Sequence, residues 1–209
     1  MNLTDMRTLV RRDLKDEATP YRWSDDELDR HILYALKEFS EAIPLQQKAS
    51  IPTTAGSREI SLTFIAERIM VQAVEYPVEK FPKRYQRFAI WADTLTLLGD
   101  EVPDGSNAFI YYGKLHTLDA TTSTIAPKYE DLVATGAGAY AAISASVYST
   151  DRVSVGGTIT PREFLTWGKE RLRYFKDELR RLGRRNRVKV RQLYKSYYPP
   201  VSESIDFGH

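Results

Sequence analysis

The chain has 209 residues, 42% hydrophobic and 28% charged, with a formal net charge of +2 and no cysteine. That length and apolar content suffice for one large domain, or a domain with an insertion. The missing cysteines exclude disulfides and cysteine metal sites, and the net charge alone points to no class of partner.

Residues 3–15 read as a first short helix, with Leu3, Met6, Leu9, Val10 and Leu14 able to share a face. The N-terminus is charged from Asp5 onward and lacks the apolar stretch of a signal peptide. No run in the chain approaches the length of a membrane span, so a soluble protein is expected. A turn around Pro20 follows. Ser24, Asp25, Asp26 and Glu27 then mark a second helix start, Ser24 as N-cap and Glu27 closing the capping box. Its buried stripe is Leu28, Ile32, Ala35, Leu36, Phe39 and Ile43, and it stops before Pro44.

Residues 46–118 have a different texture. Prolines and glycines punctuate β-prone runs at 59–62, 69–76, 86–92, 94–98 and 108–115, with a short helical turn over 64–68. Asp104-Gly105 reads as a hairpin turn between the last two runs. This predicts a small, mostly antiparallel β insertion. Residues 128–149 are helical again, with Leu132, Gly136, Ala139, Tyr140, Ile143 and Val147 as the expected buried stripe. Its glycines and alanines make a thin helix that a neighbour can approach closely.

The last helix begins at Thr160 as N-cap, with Pro161 in the first helical position and Glu163 three residues after the cap. Leu165, Gly168, Leu172, Phe175, Leu179 and Leu182 form its stripe, and Gly183 is placed to end it in a left-handed turn. Gly136, Leu172, Phe175 and Leu179 are the candidate packing residues of the bundle. The expected fold class is α+β: a four-helix bundle (residues 1–45 and 119–183) interrupted by a small β insertion (46–118), with an extended C-terminal arm (184–209).

No catalytic constellation emerges. His31, His116 and His209 have no second histidine at ligand spacing, and no nucleophile elbow, phosphate loop or dinucleotide fingerprint is present. The acidic run at 25–27 is explained by the helix start, and Asp100, Glu101 and Asp104 by a solvated loop. The chain is read as a non-enzyme without metal or cofactor.

The feature above background is the arm. Residues 161–209 carry 13 Lys/Arg against 6 Asp/Glu, and residues 1–160 carry 17 against 22. Opposite parts therefore suit opposite partners, copies of the same chain included. Within the arm, Arg184, Arg185, Arg187, Lys189, Arg191 and Lys195 are basic and none of residues 184–195 is acidic. Arg187, Lys189 and Arg191 alternate with Val188 and Val190, which is strand periodicity. Leu193, Tyr194, Tyr197 and Tyr198 follow, then Pro199 and Pro200. Helix-end solvation accounts for the cations up to Arg185 but not for those beyond. Two uses remain, added-strand docking on an acidic protein surface or contact with nucleic-acid phosphates. The alternation with valine and the tyrosines favour the protein.

Taken in order, these parts resemble the head-to-tail adaptor (connector) proteins of tailed bacteriophages. The likeness is carried by Leu9-Val10-Arg11-Arg12-Asp13-Leu14, by Tyr21-Arg22-Trp23-Ser24-Asp25-Asp26-Glu27-Leu28 and by Ala35-Leu36-Lys37-Glu38-Phe39. The β insertion, two further helices and the arm follow in the same order, so the resemblance spans nearly the whole chain. It implies a structural virion component of the neck, assembled in the host cytoplasm and serving genome ejection. Such proteins form a ring, commonly of twelve copies, beneath the portal protein and around the DNA channel. The arm clasps the portal, and the β insertion faces a downstream tail or nozzle protein. DNA passes without sequence-specific contact, and no membrane is involved. The alternative function is a nucleic-acid-binding protein using the basic arm.

Overall fold

The computed structural model describes residues 1–149 and 161–194, with the side chains of 147–149 and 161 outside the description. The expected Thr160 cap, the burial of Val147, and Lys195, Tyr197 and Tyr198 fall outside it. The described chain divides into two units, each with its own apolar core.

The helical unit comprises Met1–Leu45 and Leu115–Arg184. Helix α1 (Leu3–Leu14) is capped by Asn2, whose side chain accepts from the Asp5 amide while the Asp5 carboxylate accepts from the Asn2 amide. Helix α2 (Asp25–Ala42) starts in the expected box. The Glu27 amide donates to Ser24 Oγ at 3.3 Å, and the Ser24 amide donates to Glu27 Oε2 at 2.8 Å. Helix α3 (Glu130–Ser149) follows a 3-10 turn at Pro127–Tyr129, and helix α4 is Pro161–Gln192.

Met6 and Val10, Leu28, Ile32 and Phe39, Val133 and Ala137, and Phe175 and Leu179 fill one core. Each large side chain buried there contributes about 1.5–3 kcal/mol. The expected stripe on α3 is corrected. Gly136 and Ala139 are buried as expected, but Leu132, Tyr140 and Ile143 are only half-buried, whereas Val133, Ala134, Ala137, Ala141 and Ala142 are buried too. Small side chains leave α3 thin enough to be covered from several sides at once, so no single stripe exists. Phe175 lies over Gly136, where an added Cβ would stand 2.8 Å from its ring, and Gly168 of α4 leaves the same kind of room for Ile143. Glu38 of α2 accepts from Tyr140 of α3 at 2.8 Å and from Lys176 of α4, joining three helices through one carboxylate.

The β unit comprises Gln46–Lys114 and Arg185–His209. Its strands are β1 (Leu45–Pro52), β2 (Glu59–Ser61), β3 (Arg68–Glu75), β4 (Tyr85–Gln86), β5 (Phe88–Trp91), β6 (Thr94–Leu97) and β7 (Asn107–Lys114). They build a four-stranded sheet in the order β1-β7-β3-β4 and a three-stranded sheet in the order β2-β6-β5. Leu95 and Leu97, and Ala108, Ile110 and Tyr112, alternate inward on β6 and β7 and meet Ile51, Ile60, Leu62 and Val74.

Four expectations are corrected here. The chain is α+β, but its helices are not a bundle interrupted by a small insertion. The segment between α2 and α3 builds two sheets around a core of its own. Second, Asp104-Gly105 does not close a hairpin. Gly105 adopts φ +96, as the turn requires, yet β6 and β7 belong to different sheets. The hairpin is β5–β6, paired Phe88↔Leu97 to Trp91↔Thr94 and closed through Ala92 at φ +50. Third, the short helical turn is at Thr63–Ile65, and Arg68 already belongs to β3.

The fourth correction concerns α4. Gly183 does not end it, and the helix continues through Arg184, Arg185, Arg187, Val188, Lys189, Val190 and Arg191 to Gln192, where an extended arm was expected. The stripe carries the reason. Leu179, Leu182, Asn186 and Val190 are buried or half-buried at spacings of three and four. A Cβ on Gly183 would meet Ala42 at 3.7–3.8 Å, an ordinary contact, so nothing forces a left-handed turn. Among the described residues no helix is long and apolar enough to cross a membrane.

A candidate protein-binding helix end

The candidate site is the last part of α4. From Arg173 to Arg181 its cations have carboxylate neighbours. Lys176 meets Glu38, Arg180 meets Asp177 at 2.8 Å, and Arg181 meets Glu178. From Arg184 onward this stops. Arg184 Nε donates to the Arg180 carbonyl at 3.3 Å. Arg185, Arg187 and Arg191 are exposed and meet no carboxylate among the described residues.

One side of this helix end rests on the four-stranded sheet of its own unit. Lys189 Nζ donates to Gln46 Oε1 and the Tyr194 hydroxyl donates to the Gln72 carbonyl, both at 3.4 Å. The Tyr194 ring stands 6.1 Å from Tyr85, which stands 6.0 Å from Tyr111. Val190 is half-buried, and Val188, opposite it on the helix, is 56% exposed. The strand reading would have given both valines one environment. The helix separates them and turns Leu193 and Tyr194 to the margins of exposure.

Glu75 of β3 is 1% exposed. Its Oε2 accepts from the Tyr111 hydroxyl at 2.6 Å and from Lys83 Nζ at 3.2 Å. Burial, with the Glu75 hydrogen bond, pushes the Tyr111 hydroxyl up to about 12. Glu75 Oε1 and Gln72 Nε2 have no hydrogen-bond partner among the described residues. Nothing in the sequence marks Glu75 as buried, since a glutamate in a β-prone run reads as surface.

The acidic run at the start of α2 does more than cap. Arg11, itself buried, donates to Asp16 at 2.7 Å, to Asp25 at 2.8 Å and to the Trp23 carbonyl at 3.0 Å. Arg7 donates to Asp29 at 2.6 Å and to Asp25 at 2.9 Å. The Arg11 hydrogen bond, foremost, holds the Asp25 carboxyl below its ordinary value. This clamp ties α1 to α2, and only the contacts reveal it.

His116 is a structural clasp. Its ring nitrogens meet the carbonyls of Thr124 and Ile43, both at 3.0 Å. Burial lowers the pKa of His31, and no group of three His, Asp or Glu side chains converges among the described residues. A shallow groove of about 210 Å³ between α3 and α4 holds Tyr129, Leu132, Tyr174 and the Glu178–Arg181 pair, with no nucleophile and base in array. Among the packing candidates, Gly136 and Phe175 are in contact, Leu179 is buried and Leu172 is half-buried. No protein-family profile and no curated protein matches the chain.

Proposed function

We propose that the chain is a structural head-to-tail adaptor of a tailed bacteriophage, a non-enzyme that assembles as a ring, twelve-fold as in the family it resembles. In this reading the basic end of α4 binds the portal protein, the β unit meets the next tail or nozzle protein, and DNA passes through the ring. The protein is then a component of the virion neck. The observation that carries the proposal is the α4 segment after Gly183. It presents four exposed arginines (Arg184, Arg185, Arg187 and Arg191) and no acidic residue, while Lys189 is bonded to the sheet on the occupied side of the helix. A surface of that kind is built for a partner of opposite sign. The sequence runs shared with the resembled family and the acidic balance of residues 1–160 support it.

Native mass spectrometry of the chain with the portal of its particle tests this. The expected outcome is one discrete complex with a closed number of copies per portal, weakened by replacing Arg184, Arg185, Arg187 and Arg191 with glutamate. A mixture showing only the separate components would overturn it. The second reading, duplex binding through the same cations, is favoured by the same exposed row. It requires an affinity that falls steeply with salt.

A further inference from the structure

We infer that the outward face of the α4 end docks on an acidic α-helix of a protein partner, with Val188 as its apolar centre and arginines as its frame. The inference rests on the partner-binding role proposed above and specifies the partner's chemistry.

Val188 is 56% exposed. On a helix its surface neighbours are the residues three and four positions away. Those are Arg184, Arg185, Arg191 and Gln192. Arg184, Arg187 and Arg191, spaced three and four apart, form one row, and Arg185 lies on the other side of Val188. All four arginines are exposed. The opposite side of the same turns carries Asn186 and Val190, both half-buried, with Lys189 and Tyr194 bonded to the sheet. Among the described residues, the arginine face is therefore the one left uncovered.

A solvated helix terminus needs cations but no valine at their centre. A phosphate rail likewise gains nothing from a branched apolar side chain. An apolar centre inside a charged rim is the anatomy of a protein interface, and arginine suits it better than lysine because its planar fork holds a carboxylate with two bonds. Guanidinium groups one turn apart, over about 10 Å of helix axis, are matched by carboxylates one turn apart around an apolar hole. That is the surface of a helix with Asp or Glu recurring every third and fourth residue.

The test uses the full chain and three labelled probes followed by fluorescence anisotropy. They are a helix-stapled peptide with glutamates at that spacing around a leucine, its scrambled twin, and a DNA duplex. The patterned peptide is expected to bind about tenfold tighter than the twin. V188D should remove that preference and V188L keep it, with unchanged thermal midpoints showing that both variants fold. K189Q, on the sheet side, should alter binding by no more than about twofold. Equal binding of the two peptides overturns the inference, as does a duplex that binds more tightly while V188D has no effect. If that happens while the chain still forms its portal complex, only the helix docking falls. If the peptide preference holds and the portal is not bound, the adaptor reading falls instead.

Discussion

Gly136 and Gly138 sit two residues apart on one helix and have opposite reasons to be there. An added Cβ on Gly136 would stand 2.8–2.9 Å from the Phe175 ring, whereas on Gly138 it would meet only Trp167, at 3.8 Å. Alanine is the better helix former by about 1 kcal/mol, and overpacking costs about 1–3 kcal/mol. G136A should therefore destabilise the chain by up to about 2 kcal/mol net, and G138A should stabilise it by about 0.5–1 kcal/mol. Denaturant midpoints of the two variants measure this directly. Asp104 offers a pH test. Hydrogen bonding by the Ser106 hydroxyl, foremost, and by the Ser106 amide and the Tyr76 hydroxyl holds its carboxyl at about 2 against an ordinary 3.8. A depressed folded-state pKa stabilises above the ordinary value and is lost as pH falls through the folded one. Urea midpoints should therefore drop between about pH 4 and pH 2, and D104N should flatten that part of the profile.

At the scale of the element, α4 is the sharpest case. If Gly183 ended the helix in a left-handed turn, alanine there would be strained. In a continuous helix it instead gains propensity, so G183A should raise stability by about 1 kcal/mol, and a loss of stability would contradict the continuous helix. Removing the docking ring with Y194A should lower hydrogen-exchange protection over residues 184–192 while leaving α1 and α2 unchanged. The sequence signals that survived were local ones with a short-range mechanism: the Ser24–Glu27 box, the stop before Pro44, and the β-prone runs at 94–98 and 108–115. Those that failed needed partners from elsewhere. Asp-Gly marks a turn but does not say which strands flank it. Strand β1 carries Gln46, Gln47 and Lys48 at a sheet edge, with Ile51 its only buried residue, so no alternation announces it. Alternation of Val188 and Val190 with cations fits a strand locally, but the stripe from Leu179 through Asn186 to Val190 is longer and prevails.

Across the whole molecule, the charge bias toward the C-terminal residues was legible from composition, and so were the basic residues of the candidate site. Their presentation was not. Which cations face outward depends on the helix continuing past Gly183 and on Tyr194 and Lys189 meeting the sheet, contacts between residues over a hundred positions apart. The Arg11–Asp16–Asp25 clamp and buried Glu75 were hidden for the same reason, because burial of a charged residue is decided by what covers it. The most direct measurement is electron microscopy of the full chain mixed with its particle's portal, beside the variant with Arg184, Arg185, Arg187 and Arg191 replaced by glutamate. The account predicts a closed ring capping the portal with the native chain and bare portals with the variant. Portals capped equally by both chains, or by neither while the native chain binds duplex DNA in a salt-sensitive way, would contradict it.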